Sequence, residues 1–364
     1  RLWFRQDGTF DHVSFSGLSF SVLVPQLLHA KGQLEWGDPV RLGTGRAYLL
    51  RKDYTASADE RSSWLWDLEV ALREETRDGL SSTAVSLEVT NADGWKLSPT
   101  IALYGLSMLL GRNTAPAVTD REHPDYVQWY RELPPRNRIS ALKWGHHAGG
   151  WAGAFGAILG SAPDGGRAWS AKAAIIYAPG VLIIPGSLNL LTDRPKLADD
   201  RAAAFGMVLA FDWEHDIYAA SITIDYVKPE DGKLLRIHVP IDFYSSKSPK
   251  TLHLYVGEHM PVAKRVLVKV LGRFDGSFYL MIDRNDIADL GGHAQLDIPG
   301  TAIVLGGAAG FDWQFGSGRI KLFFRAGFEV HLALGSLGNS GDAGDATDGT
   351  FFGGLLHLTG AVGL

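Results

Sequence analysis

Apolar and polar residues alternate along residues 318–335, which read GRIKLFFRAGFEVHLALG. Side chains of a β-strand point alternately to its two faces, so a period of two residues predicts a strand. At about 3.3 Å per residue its alternating part, residues 320–334, would be roughly 50 Å long. Its predicted apolar face consists of Ile320, Leu322, Phe324, Phe328, Val330 and Leu332. So long an apolar face needs a cover, which would be a second sheet, lipid or another ligand.

The same period recurs along much of the chain. Apolar residues share one parity within residues 64–72, 83–89, 235–243 and 266–270. In the first of these runs the other parity carries Asp67 and Glu69, and Arg73 continues it directly after the run. Each run therefore predicts a strand with a solvated polar face and a dry apolar face.

Short motifs of Gly, Asp and Pro separate these runs and predict turns. They are ADG at 92–94, PDGG at 163–166, PEDG at 229–232 and FDG at 274–276. Each motif is typical of a hairpin connection, since Gly allows the positive φ of tight turns. Helical periodicity is confined to residues 124–133, where Pro134 and Pro135 would end a short helix.

The predicted fold is all-β with little helix. It consists of one or more large antiparallel sheets of long amphipathic hairpins, arranged as a sandwich, an open groove or a barrel-like sheet. We expect an N-terminal β-rich region at 1–94 and a main β-rich domain at 95–364, which could also continue into each other as one extended sheet. The tripeptide Phe-Asp-Trp occurs at 211–213 and at 311–313 in similar surroundings, which favours a repeated hairpin.

Composition narrows the choice of partners. The 364 residues carry a net charge of -5 with a pI near 6.2, and 46% of them are hydrophobic. This balance is typical of a folded chain. No cluster of Lys and Arg offers the basic footprint that phosphate binding needs, so nucleic acid is not an expected partner.

Cysteine is absent, which excludes disulfides, thiolate metal sites and a cysteine nucleophile. No run of 18 apolar residues predicts a transmembrane helix, whereas the alternating pattern leaves membrane-spanning strands open. The chain starts without Met and without a signal-like segment, so we expect a processed chain or a piece of a longer one. The cell envelope or the extracellular space is favoured over the cytoplasm.

An ordered series of segments gives a resemblance to known proteins. The series includes WKLSPTIALYGLSMLLGRNTAP, KWGHHAGGWAGAFGAILGSAPDGG, AKAAIIYAPGVLIIPGSLNLL, GKLLRIHVPIDFY and VLVKVLGRFDGSFYLMI. Over residues 95–334 it resembles large, functionally uncharacterised bacterial β-rich proteins, a domain-of-unknown-function family. The resemblance implies a long, mostly sheet protein of which this chain is one segment. It implies no reaction, substrate or catalytic residue.

Two groups of residues are candidates for metal or proton chemistry. His146 and His147 are adjacent, so an extended backbone would point them to opposite faces, and a Gly-flanked loop before a strand is the favoured interpretation. Asp342, Asp345 and Asp348 lie at three-residue intervals among glycines. Carboxylates suit Ca²⁺, but the spacing differs from that of an EF-hand, so a solvated loop is the favoured interpretation and Ca²⁺ the alternative. Asp283, Asp286 and Asp289 are explained by turn chemistry. No other cofactor is predicted.

The sequence lacks three motifs of catalytic or phosphate-binding sites. These are the nucleophile elbow Gly-x-Ser-x-Gly, the zinc-protease motif His-Glu-x-x-His and the phosphate-binding loop Gly-x-x-x-x-Gly-Lys-Ser/Thr. The chain is therefore not predicted to be an enzyme. Three functions stay open. The favoured one is a non-catalytic structural module that pairs with other segments of a longer chain or with copies of itself. The second is a β-groove or barrel that binds lipid or another apolar ligand, as a conduit or in an outer-membrane type. The third is a secreted carbohydrate-active enzyme on a β-scaffold.

Overall fold

The computed structural model describes residues 2–4, 10–13, 17–24, 28–36, 40–50, 64–119, 124–132, 139–191, 203–228, 234–247, 250–258, 261–284, 300–315, 320–337 and 349–363. Within these ranges the chain is all-β, as predicted, and forms long antiparallel hairpins with a single α-helix. It divides into two compact units, Arg1–Arg201 and Ala202–Leu364, here called unit 1 and unit 2.

Unit 1 contains the first eleven described strands and the helix. These are β1 (Leu2–Phe4), β2 (Phe10–Val13), β3 (Gly17–Val24), β4 (Leu28–Trp36), β5 (Val40–Leu50), β6 (Trp64–Arg77), β7 (Leu80–Lys96), β8 (Ile101–Pro116), α1 (Tyr126–Glu132), β9 (Trp144–Ser161), β10 (Trp169–Ala178) and β11 (Val181–Leu190). From β3 to β11 each strand pairs antiparallel with the next one along the chain. Strands β1 and β2 pair with each other.

Unit 2 contains the remaining described strands. These are β12 (Phe205–Asp212), β13 (Ile217–Lys228), β14 (Leu235–Lys247), β15 (Lys250–Val256), β16 (Val266–Val270), β17 (Phe274–Arg284), β18 (Gly300–Phe315), β19 (Ile320–Leu337) and β20 (Gly349–Gly363). Strands β15 and β16 lie end to end, because both pair with β14 on one side and with β17 on the other. The other neighbours pair antiparallel in chain order.

Strand β19 confirms the long strand predicted from the alternating pattern, with 18 residues. Helix α1 confirms the predicted helix, and the PDGG turn connects β9 to β10. Two turn predictions were wrong. The ADG motif lies inside β7, where the side chain of Asn91 accepts hydrogen bonds from the N–H groups of Asp93 and Gly94 and shapes a bulge. The FDG motif begins β17, because the turn is made by Leu271 and Gly272 at positive φ.

The predicted turn at 229–232 lies outside the described residues. Strand β7 runs through residues 94 and 95 and pairs with β6 and β8, so the sheet of unit 1 continues across that point. The division of the chain into 1–94 and 95–364 stays a prediction.

The core of unit 1 lies on the face of its sheet that carries the polar residues of the alternating pattern. A segment between β8 and β9 lies against that side, where a 3-10 helix at Ala141–Lys143 contacts β6, β7 and β8. The amide of Ala141 donates a buried hydrogen bond of 2.9 Å to Oγ of Ser86 on β7. Trp144 is fully buried and meets Trp129 of α1 edge to face. The short segment thus covers small side chains of the sheet.

Candidate functional site

Cross-strand register joins the apolar parities of unit 1 into one continuous surface, which we call the apolar face. One row across six strands, from β5 to β10, holds Ala47, Leu68, Val89, Leu106, Ala157 and Ala173. The next row holds Gly45, Val70, Leu87, Met108, Phe155 and Ile175. A third holds Gly43, Leu72, Val85, Leu110, Gly153 and Tyr177. Three successive rows therefore carry no charged or amide side chain.

This apolar face is exposed. Consecutive residues of β8 show the contrast, since Leu109 on the opposite face is 1% exposed and Leu110 on the apolar face is 63% exposed. Phe155 on β9 is 58% exposed. The sequence left open whether a second sheet, lipid or another ligand covers this face. In the described part of unit 1 it is not the face on which the core lies. The most buried side chains of unit 1 lie on the polar parity.

Unit 2 repeats this arrangement within its own sheet. One row runs through Phe274, Phe311 and Phe324, and another through Phe278, Gly307, Phe328 and Leu358. Exposed side chains on this face include Met207, Ile222, Val268, Phe278 and Leu358. Each unit therefore has its own apolar face, built by the same alternation.

The six residues predicted from the sequence as an apolar face all lie in β19. Phe324 and Phe328 are exposed, whereas Val330 and Leu332 are half-buried by neighbouring strands. The side chains of Ile320 and Leu322 lie outside the described residues. The sequence pattern found the face of this one strand but missed its extent, because the partner residues come from other strands.

The polar face of unit 1 carries paired charges. Arg46 on β5 donates hydrogen bonds to both carboxylate oxygens of Asp67 on β6, with Nε at 2.9 Å from Oδ1. Glu69 lies 3.9 Å from Nε of the same guanidinium, which also stacks over the ring of Tyr48. On β6, Arg73 pairs with Glu75 at 2.9 Å. These pairings keep half-buried charges satisfied on the side away from the apolar face.

The polar face of unit 2 carries a hydrogen-bonded cluster. Tyr255 donates a hydrogen bond of 2.6 Å to Asp283, and Nδ1 of His253 lies 3.5 Å from the same carboxylate. The ring of Tyr244 stacks on His253 with centroids 5.0 Å apart. Asp283 thus joins a strand network, whereas Asp286 and Asp289 lie outside the described residues.

His146 and His147 lie in β9 rather than in a loop before it, so that prediction was wrong. Their adjacency in a strand sends them to opposite faces, and the structure does not bring them together. Asp342, Asp345 and Asp348 lie outside the described residues, so a Ca²⁺ site there stays a prediction. Among the residues that the structure describes, no three His, Asp or Glu side chains are grouped to hold a metal ion.

The first Phe-Asp-Trp motif makes a turn. Oδ1 of Asp212 accepts hydrogen bonds from the N–H groups of Glu214 and His215, and Oδ2 lies 2.8 Å from Nδ1 of His215. The second motif, at 311–313, lies inside β18 instead. Each motif nevertheless stands near the end of a strand that pairs antiparallel with the next one, β12 with β13 and β18 with β19. The two backbone settings differ, and a repeated hairpin stays a prediction.

Comparisons with family models, with curated proteins and with solved structures find no match to this chain. The resemblance to large bacterial β-rich proteins stays a hypothesis. In the described residues, no helix combines the length and the apolar character needed to cross a membrane. The function has to be inferred from the two faces of the sheets.

Proposed function

We propose that this chain is a membrane protein of outer-membrane type, whose apolar faces contact the acyl chains of lipids. The observation that carries the proposal is the exposure of the apolar face in unit 1, where Leu110 and Phe155 point away from the core. In water-soluble proteins the apolar face of such a sheet is buried and the polar face is solvated.

Exposure of such a surface to water has a large cost. Each Å² of apolar surface in water costs about 25 cal/mol relative to an apolar surrounding. Soluble monomers rarely expose apolar patches larger than a few hundred Å². The apolar face of unit 1 covers three rows across six strands. Its exposed side chains therefore form one continuous patch and are not scattered singly over the surface. An apolar medium in contact with this face removes the cost.

The charges support lipid rather than water as the medium on this side. Arg46, Asp67 and Glu69 all lie on the polar parity, where they pair with one another. Backbone groups in a bilayer must also be satisfied within the protein, since no water is available there. The described ladders of each unit pair the long strands over most of their length, as in the fifteen residue pairs between β19 and β20.

Quenching of tryptophan fluorescence tests the proposal. The protein is refolded with vesicles of phosphatidylcholine that carries bromine on its acyl chains, and with unbrominated vesicles as the reference. Bromine quenches tryptophan emission only on close approach. Because Trp66, Trp95 and Trp169 lie at the apolar face, we expect a clear loss of emission in the brominated vesicles. Equal emission in both vesicles would refute the proposal. Equal emission is what a second sheet or another copy of the chain over the apolar face would produce. It would therefore favour the non-catalytic structural module.

A further inference from the structure

The apolar face of unit 1 ends abruptly at one row, which we call the border row. It runs through Arg41, Glu74, Thr83, Arg112 and Trp151 on five neighbouring strands. The adjacent row, two residues further along each strand, contains Gly43, Leu72, Val85, Leu110 and Gly153. The same face thus changes from wholly apolar to mainly polar within about 7 Å.

Residues of the border row point into solvent. Arg112 is exposed, and Trp151 is 67% exposed. Arg41 reaches Glu74 across the strands with a separation of 3.4 Å between Nη1 and Oε2. Arginine offers several N–H donors to phosphate oxygens, while an indole ring places an apolar body and a polar N–H side by side.

Aromatic residues also mark the opposite end of the apolar face. Trp66 and Trp95 meet edge to face with ring centroids 4.8 Å apart, and Trp169 lies on the same face beside the turn between β9 and β10. The two ends are eight residues apart along β6, from Trp66 to Glu74. On β10, Trp169 and the last apolar row, at Tyr177, are also eight residues apart, and the border row lies beyond Tyr177. In unit 2, Tyr218 and Tyr226 bound the apolar parity of β13 with that spacing.

We infer that the border row lies among the phosphate groups of a lipid bilayer and that the tryptophans at the opposite end mark its other boundary. The inference rests on the proposed function and adds the depth of the chain in the membrane. Eight residues span about 26 Å along a strand, or about 20 Å along the membrane normal at a tilt near 40°. The matching hydrocarbon layer is thinner than the usual 30 Å or so.

Spin labels on single cysteines measure this depth. The chain has no cysteine, so one introduced residue carries the only label. Thr83→Cys reports on the border row, Val70→Cys on the middle of the apolar face, and Thr44→Cys on the exposed polar face of β5 as the matched control. Each labelled variant is refolded into phosphatidylcholine vesicles, and circular dichroism confirms that its β-structure equals that of the unlabelled protein.

Collision rates with oxygen and with a water-soluble nickel chelate then give the depth of each label. We expect the Val70→Cys label to lie in the hydrocarbon and the Thr83→Cys label about 10 Å nearer to the surface, at the phosphates. Equal depths for these two labels would overturn the border row while leaving the proposed function intact. A Val70→Cys label that collides with nickel as freely as the Thr44→Cys control would overturn the proposed function and the inference together.

Discussion

Tyr279 on β17 donates a hydrogen bond of 2.5 Å to Glu329 on β19, across the intervening strand β18. The ring crosses Gly306, which pairs with Tyr279 on one side and with Glu329 on the other. Tyr279 is almost fully buried by this arrangement, with Arg265 stacked over its ring at 4.9 Å. A glycine in the middle strand is required, since only a residue without Cβ lets the ring pass.

Replacement of this glycine should therefore destabilise unit 2. A Cβ at position 306 would overlap the hydroxyl oxygen of Tyr279 and lie 2.5 Å from Cζ of its ring. We expect Gly306→Ala to lower the free energy of unfolding by about 1–3 kcal/mol, as overpacking does in other cores. Gly206→Ala is the matched control, because a Cβ there has open space. Urea unfolding of both variants checks this, and equal stabilities would show that the ring moves aside freely.

A charge on the apolar face should weaken insertion into bilayers. Phe155 lies on the middle row of that face, and a lysine at the midplane of a membrane-embedded sheet costs about 2–4 kcal/mol. We expect Phe155→Lys to reduce the equilibrium constant of folding into vesicles roughly 30- to 1,000-fold, at about 1.4 kcal/mol per tenfold. Thr44→Lys on the polar face should have little effect. Similar losses for both variants would contradict a lipid-facing role.

The ion pair of Arg46 and Asp67 should be energetically coupled. Their side chains are 24% and 13% exposed, so the pair is largely shielded from water. A double-mutant cycle with Arg46→Met and Asp67→Asn should give a coupling energy of about 1–3 kcal/mol. The exposed pair of Lys247 and Asp216 serves as the comparison, with an expected coupling below about 1 kcal/mol. No difference between the two cycles would show that the polar face is fully hydrated.

The turn between β9 and β10 should make stability depend on pH. Asp164 accepts hydrogen bonds from Ser161 and from the N–H groups of Gly166, Arg167 and Ala168. The bond from Ser161, with the backbone bonds, lowers the pKa of Asp164 below its ordinary value of 3.8. A lowered folded-state pKa stabilises the protein above the ordinary pKa, and this contribution is lost as the pH falls through the folded-state value.

Asp164→Asn removes that contribution. Thermal unfolding should therefore show the wild-type protein more stable than the variant at neutral pH, with a difference that stays constant down to about pH 5 and shrinks below about pH 4. Ser81→Ala, at an exposed position of β7, provides a control that should show no such pH dependence. A difference between wild type and Asp164→Asn that persists unchanged at pH 3 would contradict the assignment.

Local patterns predicted the elements well and the turns less well. The alternation at residues 318–335 was sufficient to find β19, because the two-residue period depends only on neighbouring side chains. The turn predicted at the ADG motif was wrong because the side chain of Asn91 accepts hydrogen bonds from the backbone of a bulge, and the chain continues through the bulge as a strand. The setting of such a motif depends on the partner strand, which a local pattern does not identify.

The sequence alone determined the all-β class, the long strands and the separation of apolar from polar side chains on each of them, since all three follow from local alternation. Only the tertiary structure decided which face is exposed. It also placed Arg41, Glu74, Thr83, Arg112 and Trp151 in one row, although the first and last are 110 positions apart in the chain. The reason is physical. Cross-strand register and burial are relations between distant segments, and alternation within one strand is compatible with either face being covered.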